Sequence, residues 1–523
     1  MQQKISKLFN GENSVRSASV ILVITLALSN ILGLLRDHLL ARYIETSNLD
    51  VYFASFRIPD LVFNFLILGA IFSALVPVFS DYRAKNEIKE AWKIVNTVLN
   101  LAVILMIASA ILIYFLMPYL VYIVVPDFPA EKIAQTVKLS RIIMLTPIFF
   151  SASYIVSGVL NSYNRFFAYS LAPLVYNLSI IAGIVILGKS KGVEGVAYFV
   201  VIGAMLHLLI QIPSVIKIGF KYQWITDYKN KAVQKIFKLM LPRTVGLGAN
   251  QILLLVYTSI ASYLAAGSIS AFNFANNIQT VPTVVFGGSM ATAIFPTLTM
   301  AISKSENDKF CFYLNKTIRT ISYILIPISI IIFLLRAQII RLVLGAGYFA
   351  WADTTATAAT LGYFSLSLLP QGLIPLFARA FYATKDTKTP MYIGLVSTAM
   401  GILFAVLLTP TYSVAGLAMA FGVSSLLNAM LLYIGLQRIS CYKPDKKILV
   451  SFIKILTISL IMAIVLQFSK HFIDDYVNMS TFFGVLTQSI SAFIIAVLSY
   501  VLLSKLTGLE ELNWVFKRGG KDV

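Results

Sequence analysis

Seven ionisable side chains crowd the first apolar stretches of the chain: Arg36, Asp37, His38, Arg42, Asp50, Arg57 and Asp60. A charge inside a hydrocarbon layer is costly, and it persists where it faces a cavity or a partner. A guanidinium grips phosphate oxygens through a planar fork of N–H donors. Arg36 and Arg57 are therefore candidates for contact with an anionic, phosphate-bearing ligand drawn into a cationic cavity. The competing arrangement pairs Arg36 with Asp37 or Asp60 near the bilayer edge. Arg42 and Asp50 are expected near the outer face, where snorkelling is the default. Arg243 follows Pro242 early in a later apolar run and faces either the cavity or the inner headgroups. Arg141, Lys238 and Arg379 are further charges in apolar runs. His207 lies on an apolar helix, where a satisfied interhelical hydrogen bond is favoured over a proton relay.

Covalent chemistry finds little support. The sequence has no Ser/His/Asp arrangement and no nucleotide-binding loop. Asp37 and Asp60 form the one conceivable carboxylate pair, and the external loops are too short for the catalytic domain of a membrane glycosyltransferase. His38, His207 and His471 are scattered and Cys311 and Cys441 have no zinc spacing, so no metal is expected. No cofactor is implied. Both cysteines neighbour basic loops placed in the cytosol, and no disulfide is expected.

These residues need long apolar helices to hold them. Of 523 residues, 58% are hydrophobic and 12% charged, against roughly 25% charged in soluble domains. Apolar runs of about 20 residues, without the alternation of barrel strands, make the bilayer the solvent and the helix the element. The net charge of +20 reads as basic loops that set topology and touch anionic headgroups, and nucleic-acid binding is not expected. The first apolar segment is too long for a cleaved signal and reads as a retained helix.

Fourteen spans are expected, at 17–43, 51–79, 93–117, 137–161, 167–188, 193–218, 234–265, 270–298, 311–335, 352–382, 388–409, 413–437, 446–468 and 481–506. Lys and Arg concentrate on one side, at 4–16, 83–89, 217–235, 304–309, 385, 438–447 and 517–521, while loops 44–50, 266–269 and 410–412 have none; Lys132, Lys189, Lys191, Arg336, Arg341 and Lys470 are exceptions. That bias puts both termini in the cytosol. Gly69–Pro77 matches Gly288–Pro296 at glycine, alanine and proline, with an offset of 219 residues, and at that offset Tyr163 maps onto Tyr382. The chain therefore reads as an all-α integral membrane protein with two pseudo-symmetric six-helix lobes and two C-terminal helices. The lobes are 1–218 and 234–440, joined at 219–233 by a basic stretch suited to a cytosolic surface helix or linker. The segment 441–523 holds the last two helices and a cytosolic tail. Duplicated six-helix lobes build many transporters, with the substrate path between them. Prolines such as Pro59, Pro77, Pro282 and Pro296 divide between hinges and ordinary kinks.

The run Ser29 to Arg42, containing Gly33-Leu-Leu-Arg36-Asp37, and the run Leu49 to Asp60 resemble the opening of the MurJ/MviN-type lipid II flippases. Gly69 to Pro77, Leu160 to Phe166 and Phe381 to Pro390 resemble that family too, and more loosely its multidrug/oligosaccharidyl-lipid/polysaccharide exporter superfamily. The resemblance implies flipping of an undecaprenyl-diphosphate-linked muropeptide by alternating access in the bacterial inner membrane. It also implies a central cationic cavity and a lipid-tail groove formed by helices 13 and 14. Its site residues match Arg36, Asp37 and Asp50, while Arg57 and Arg243 are added from the residues themselves. Other charged positions of the family fall here at Asn30, Phe63, Asn64, Leu68 and near Asn277.

The expected function is thus a lipid II flippase of cell-wall synthesis, working by binding alone. Its partners would be the lipid-linked diphosphate glycan, membrane lipids and proteins of wall synthesis. The alternatives are an exporter of another polyprenyl-diphosphate glycan and a non-transporting scaffold. A cationic-drug exporter would want an acidic cavity, and the intramembrane charge here is mostly basic.

Overall fold

Backbone N–H and C=O groups cannot be left unpaired in hydrocarbon, so each apolar run folds into a helix that satisfies them internally. The computed structural model describes residues 15–68, 71–438, 442 and 445–516, with side chains described outside 15–23, 67–74, 239–247 and 516. Among these residues every regular element is helical. The chain separates into two compact units, Met1–Ser270 and Ala271–Val523.

The first unit contains α1 (Val15–Tyr43), α2 (Thr46–Ser55) and α3 (Arg57–Phe63), a π-helical turn at Asn64–Leu68, then α4 (Ile71–Ala84) and α5 (Ile88–Val124). It continues through α6 (Ala130–Ile143), α7 (Thr146–Ser162), α8 (Phe166–Leu209), α9 (Ile212–Lys217) and α10 (Lys231–Ser262). α1 lies along α8, α2 along α6, and α10 packs on the π turn and on α3, α4 and α5. Phe79, Ile94, Val98, Ile155 and Val159 form the core between α4, α5 and α7. Residues 218–230 are not helical. They run as a strap along α5, gripped by two buried asparagines: Asn96 Nδ2 donates to the Lys221 carbonyl at 3.1 Å, and Asn100 Nδ2 to those of Gln223 and Ile225 at 2.9 Å. Buried amides that recruit backbone carbonyls hold a loop down without a helix.

α11 (Ser268–Pro282) leads into the second unit. A second π turn, Thr283–Gly288, precedes α12 (Ser289–Ser303), α13 (Asn307–Leu344), α14 (Trp351–Ser365), α15 (Leu368–Ala383), α16 (Lys388–Tyr412) and α17 (Val414–Gln437). α18 (Lys446–Asp474), α19 (Phe482–Leu506) and the short α20 (Glu510–Phe516) complete it. Phe310, Leu314, Phe377, Phe381 and Leu432 make one core, and Leu335, Ile455, Met462, Ala496 and Tyr500 a second, where α18 and α19 pack on α13. The π turn meets α15 backbone to backbone: a Cβ on Gly287 would lie 2.5 Å from the Gly372 Cα.

The duplication is written into backbone conformation. The two π turns begin at Asn64 and Thr283, 219 positions apart. Left-handed residues close the helix before α5 and α13 at Asn86 (φ 61°) and Ser305 (φ 57°). The next such pair is Asn164 (φ 55°) and Lys385 (φ 66°), now 221 positions apart. The capping bonds agree, Arg165 N to Leu160 O at 2.9 Å and Asp386 N to Phe381 O at 3.0 Å. Two extra residues thus enter the second repeat before α15 ends. This corrects the expected match of Tyr163 to Tyr382: Tyr163 and Thr384 are the equivalent helix caps. The third pair is Gly192 (φ 56°, ψ −143°) and Ser413 (φ 53°, ψ −140°), which fold one long helical stretch back on itself in each repeat.

Ten helical stretches among the described residues are long and apolar enough to cross a membrane, and the bent pair Trp351–Ser365 and Leu368–Ala383 adds an eleventh. One of the ten, Phe166–Lys217, is 52 residues long and is divided at Gly192. The expected spans at 51–79 and 234–265 are not among these stretches; the described helices within or across them are Thr46–Ser55, Arg57–Phe63, Ile71–Ala84 and Lys231–Ser262, and residues 69 and 70 lie outside the described residues. The chain is a multi-pass membrane protein.

Candidate functional site

Arg36 and Asp37 are consecutive on α1, so their side chains leave the helix about 100° apart. The long arginine stem bridges that angle. Its Nε and Nη2 both donate to Asp37 Oδ1, at 3.0 and 2.8 Å. Asp37 is 2% exposed, and a buried carboxylate requires such a partner. Arg36 Nη1 donates to Asn177 Oδ1 on α8 at 3.3 Å. Asn177 Nδ2 in turn donates to Ser29 Oγ at 3.4 Å and to the Pro173 carbonyl at 3.2 Å. A guanidinium has five N–H donors. Among the described residues three are engaged, which leaves one on each terminal nitrogen. The Arg36 side chain keeps 21% of its surface exposed, and Tyr52 and Tyr176 lie within its electrostatic reach. The arrangement is a cation held by two helices with donors to spare, suited to phosphate oxygens.

Of the two partners open to Arg36, the structure places Asp37 on it. Asp60 instead lies one helical turn from Arg57 and within its electrostatic reach. Arg57 is 8% exposed, and its Nε donates to Thr258 Oγ1 on α10 at 2.7 Å. It ties α3 to α10 and offers less open surface than Arg36.

Arg42 is exposed, beside the Tyr43 ring at 5.6 Å. Asp50 departs from the expectation of snorkelling: it is 2% exposed. Its Oδ2 accepts from Gly267 N at 2.6 Å, and its Oδ1 accepts from Ser270 N at 2.8 Å and Ser270 Oγ at 2.6 Å. A carboxylate is the natural acceptor for the orphan N–H groups of a helix start, and both Asp50 oxygens are taken up by the first turn of α11. The Arg243 side chain lies outside the described residues.

His207 forms the interhelical hydrogen bond that its apolar setting favours. Its Nδ1 is 2.7 Å from Ser153 Oγ on α7, and Gln211 Nε2 donates to that Ser153 Oγ at 2.6 Å. Ser157 Oγ donates to Gln211 Oε1 at 2.8 Å. All four side chains are buried.

At the positions where the resemblance implies charge, Asn30 donates to the Leu26 carbonyl on its own helix, Phe63 is buried in the core, and Asn64 donates to the Asp60 carbonyl. The second unit holds an apolar groove of about 630 Å³ lined by α13, α15, α17 and α18. It adjoins another of about 510 Å³ through Leu369, Pro370 and Leu426. Of the two C-terminal helices expected to form a lipid-tail groove, α18 contributes lining residues here. Among the described residues no group of three or more His, Cys, Asp or Glu is placed to hold a metal ion.

A model of the family described as "Lipid II flippase MurJ" matches residues 41–507. The chain belongs to the MurJ family of lipid II flippases. A probable lipid II flippase MurJ of Haemophilus influenzae is 30% identical over 478 residues, covering 88% of this chain and 93% of the relative. A probable lipid II flippase MurJ of Buchnera aphidicola subsp. Schizaphis graminum is 26% identical over 507 residues, covering 96% and 98%. A solved structure of a lipid II flippase MurJ in an inward closed conformation superposes with a TM-score of 0.79 at 25% identity, over 95% of this chain and 100% of that one. The fold is also that of an inward-facing multidrug resistance MATE transporter, with a TM-score of 0.68 at 14% identity over 80% of this chain and 97% of that one. MurJ membership makes the chain a member of a transporter family.

Sequence reasoning singled out Arg36, Asp37 and Arg57 but missed Asn177, Thr258 and Ser270, which hold these charges or, for Ser270, Asp50. The available signal was Asn177 itself, a lone amide four residues after Pro173 in a largely apolar run.

Proposed function

We propose that this chain moves lipid II, the undecaprenyl-diphosphate-linked peptidoglycan precursor, from the inner to the outer leaflet by alternating access. The observation that carries this reading is the Arg36 guanidinium, anchored by Asp37 and Asn177 with one N–H left on each terminal nitrogen, in a chain that the MurJ family model spans from 41 to 507. Arg36 contacts the diphosphate and Asp37 orients it. Arg57 and Arg243 add positive potential, and Asp50 secures the start of α11. No covalent step is needed: a carrier works by binding its cargo differently in its inward- and outward-open states. Weakened backbone bonding in π turns makes them natural flex points, and the pair at Asn64–Leu68 and Thr283–Gly288 offers each repeat one.

The fourteen-span topology with both termini in the cytosol belongs to this proposal. So do the lobes at 1–218 and 234–440, the linker at 219–233, the added pair of helices in 441–523, and cooperation with proteins of wall synthesis. Another polyprenyl-diphosphate glycan is the second reading, favoured by apolar or neutral residues at Asn30, Phe63 and Asn64.

The test is complementation of a host depleted of its own flippase. Wild type and Arg36→Lys, which keeps a charge without the fork, are compared with Arg36→Ala at equal membrane levels. Growth supported by wild type, weakened by Arg36→Lys and abolished by Arg36→Ala is the expected order. Full growth with Arg36→Ala would remove Arg36 from the site.

A further inference from the structure

At the end of the second unit where α18 begins and α19 finishes, a cavity of about 270 Å³ is walled by Arg319, Lys447, Lys454 and Glu511, with Lys446 at its rim. Its charges are not equivalent. Arg319 is already neutralised, its Nε 2.6 Å from Glu511 Oε1 and its Nη2 3.0 Å from Glu510 Oε2. Ser451 Oγ donates to the same Glu511 Oε1. Glu511 is fully buried, yet among the described residues its Oε2 has no hydrogen-bond partner. An unsatisfied buried carboxylate oxygen is expensive, and a cationic N–H donor would relieve it. Lys447 and Lys454, seven residues apart on α18, lie on one face of the helix. Both are exposed, and neither is in an ion pair among the described residues.

Lys446 lines both this cavity and the apolar groove of about 630 Å³ beside it, so the two adjoin. The groove walls include Leu373, Phe377, Met430 and Phe452. The Arg319 guanidinium sits over the Trp514 ring at 4.7 Å. A tryptophan beside basic residues at a helix end marks the headgroup level of a bilayer. Three chemistries therefore adjoin at Lys446: a buried acceptor lacking a donor, two cations without an ion pair among the described residues, and an apolar trough.

We propose that this site binds a zwitterionic aminophospholipid from the adjoining leaflet. Its phosphate rests on Lys447 and Lys454, its primary ammonium donates to Glu511 Oε2, and one acyl chain lies in the groove. A choline headgroup has no N–H to give Glu511. A glycerol headgroup brings no cation to that carboxylate. The site therefore selects the ethanolamine headgroup, and it does so independently of what the central cavity carries.

The test uses the full-length protein, delipidated in detergent and equilibrated in turn with phosphatidylethanolamine, phosphatidylcholine and phosphatidylglycerol. Retained lipid is counted by native mass spectrometry. One charge-assisted hydrogen bond predicts retention of the ethanolamine lipid about tenfold above the choline lipid. Glu511→Gln should bring the two to parity. Glu511 also holds Arg319, so Lys447→Gln with Lys454→Gln is a second variant that leaves that pair intact, and it should lower ethanolamine-lipid retention several-fold. Equal retention of choline and ethanolamine lipids by the wild type would overturn the proposal. So would a preference for phosphatidylglycerol that survives Glu511→Gln, which would mark a plain basic patch.

Discussion

Arg36 on α1 and Asn177 on α8 are joined by a 3.3 Å hydrogen bond across 141 residues of sequence. Asp37 fixes one edge of the guanidinium and Asn177 holds the far nitrogen, so the direction of the remaining donors is set by two helices. Asn177 is a positioning residue in this account. Asn177→Leu, of similar volume, should lower flipping about tenfold, the worth of one hydrogen bond to a charged group. Combined with Arg36→Ala it should add nothing further, since the two act as one unit. Measured flipping in proteoliposomes checks both, and independent, additive losses would separate Asn177 from Arg36.

Asp50 accepts three hydrogen bonds at the first turn of α11. Loss of a side-chain cap typically costs about 1–2 kcal/mol. Asp50→Ala should therefore lower the melting temperature of the purified protein, and Asp50→Ser should recover part of the loss. An unchanged melting temperature for Asp50→Ala would contradict the capping role.

Gly192 and Ser413 share a backbone conformation that suits glycine alone (φ 56°, ψ −143° and φ 53°, ψ −140°). A side chain there costs on the order of 1–3 kcal/mol. Ser413→Gly should stabilise the protein by about 1 kcal/mol, after allowance for the freer unfolded chain. Gly192→Ala should destabilise by about 1–3 kcal/mol, although a Cβ there meets nothing within 4 Å. Paired thermal melts test the opposite signs.

His207 sits in a closed network with Ser153, Gln211 and Ser157. Its ring works as an interhelical tie. His207→Asn keeps a polar partner for Ser153, so flipping should stay within about twofold of wild type while stability falls by about 1 kcal/mol. A transport loss of a hundredfold in a well-folded variant would instead point to a proton-carrying role.

Local chemistry made much of this legible. Apolar runs marked the helices, and the Gly69–Pro77 and Gly288–Pro296 repeat revealed the duplication that the two π turns now display in backbone form. Arg36 and Asp37 were visible as charges that need a reason to be in an apolar helix. Their partners were not, because Asn177, Thr258 and Ser270 are small polar residues 141, 201 and 220 positions from the charges they serve. No local pattern encodes such pairings. The two-residue shift that pairs Tyr163 with Thr384 was hidden for a different reason: a chance tyrosine at Tyr382 satisfied the simpler offset. Asp50 was misplaced because its exposure was judged from its nearness to a loop, while a helix start it could cap lay far along the chain.

The most direct measurement follows labelled lipid II in cells depleted of this protein, with no redundant flippase present, and quantifies its distribution between leaflets. The account predicts accumulation in the inner leaflet, reversed by the wild-type chain and not by Arg36→Ala. An unchanged leaflet distribution on depletion would contradict lipid II as the cargo.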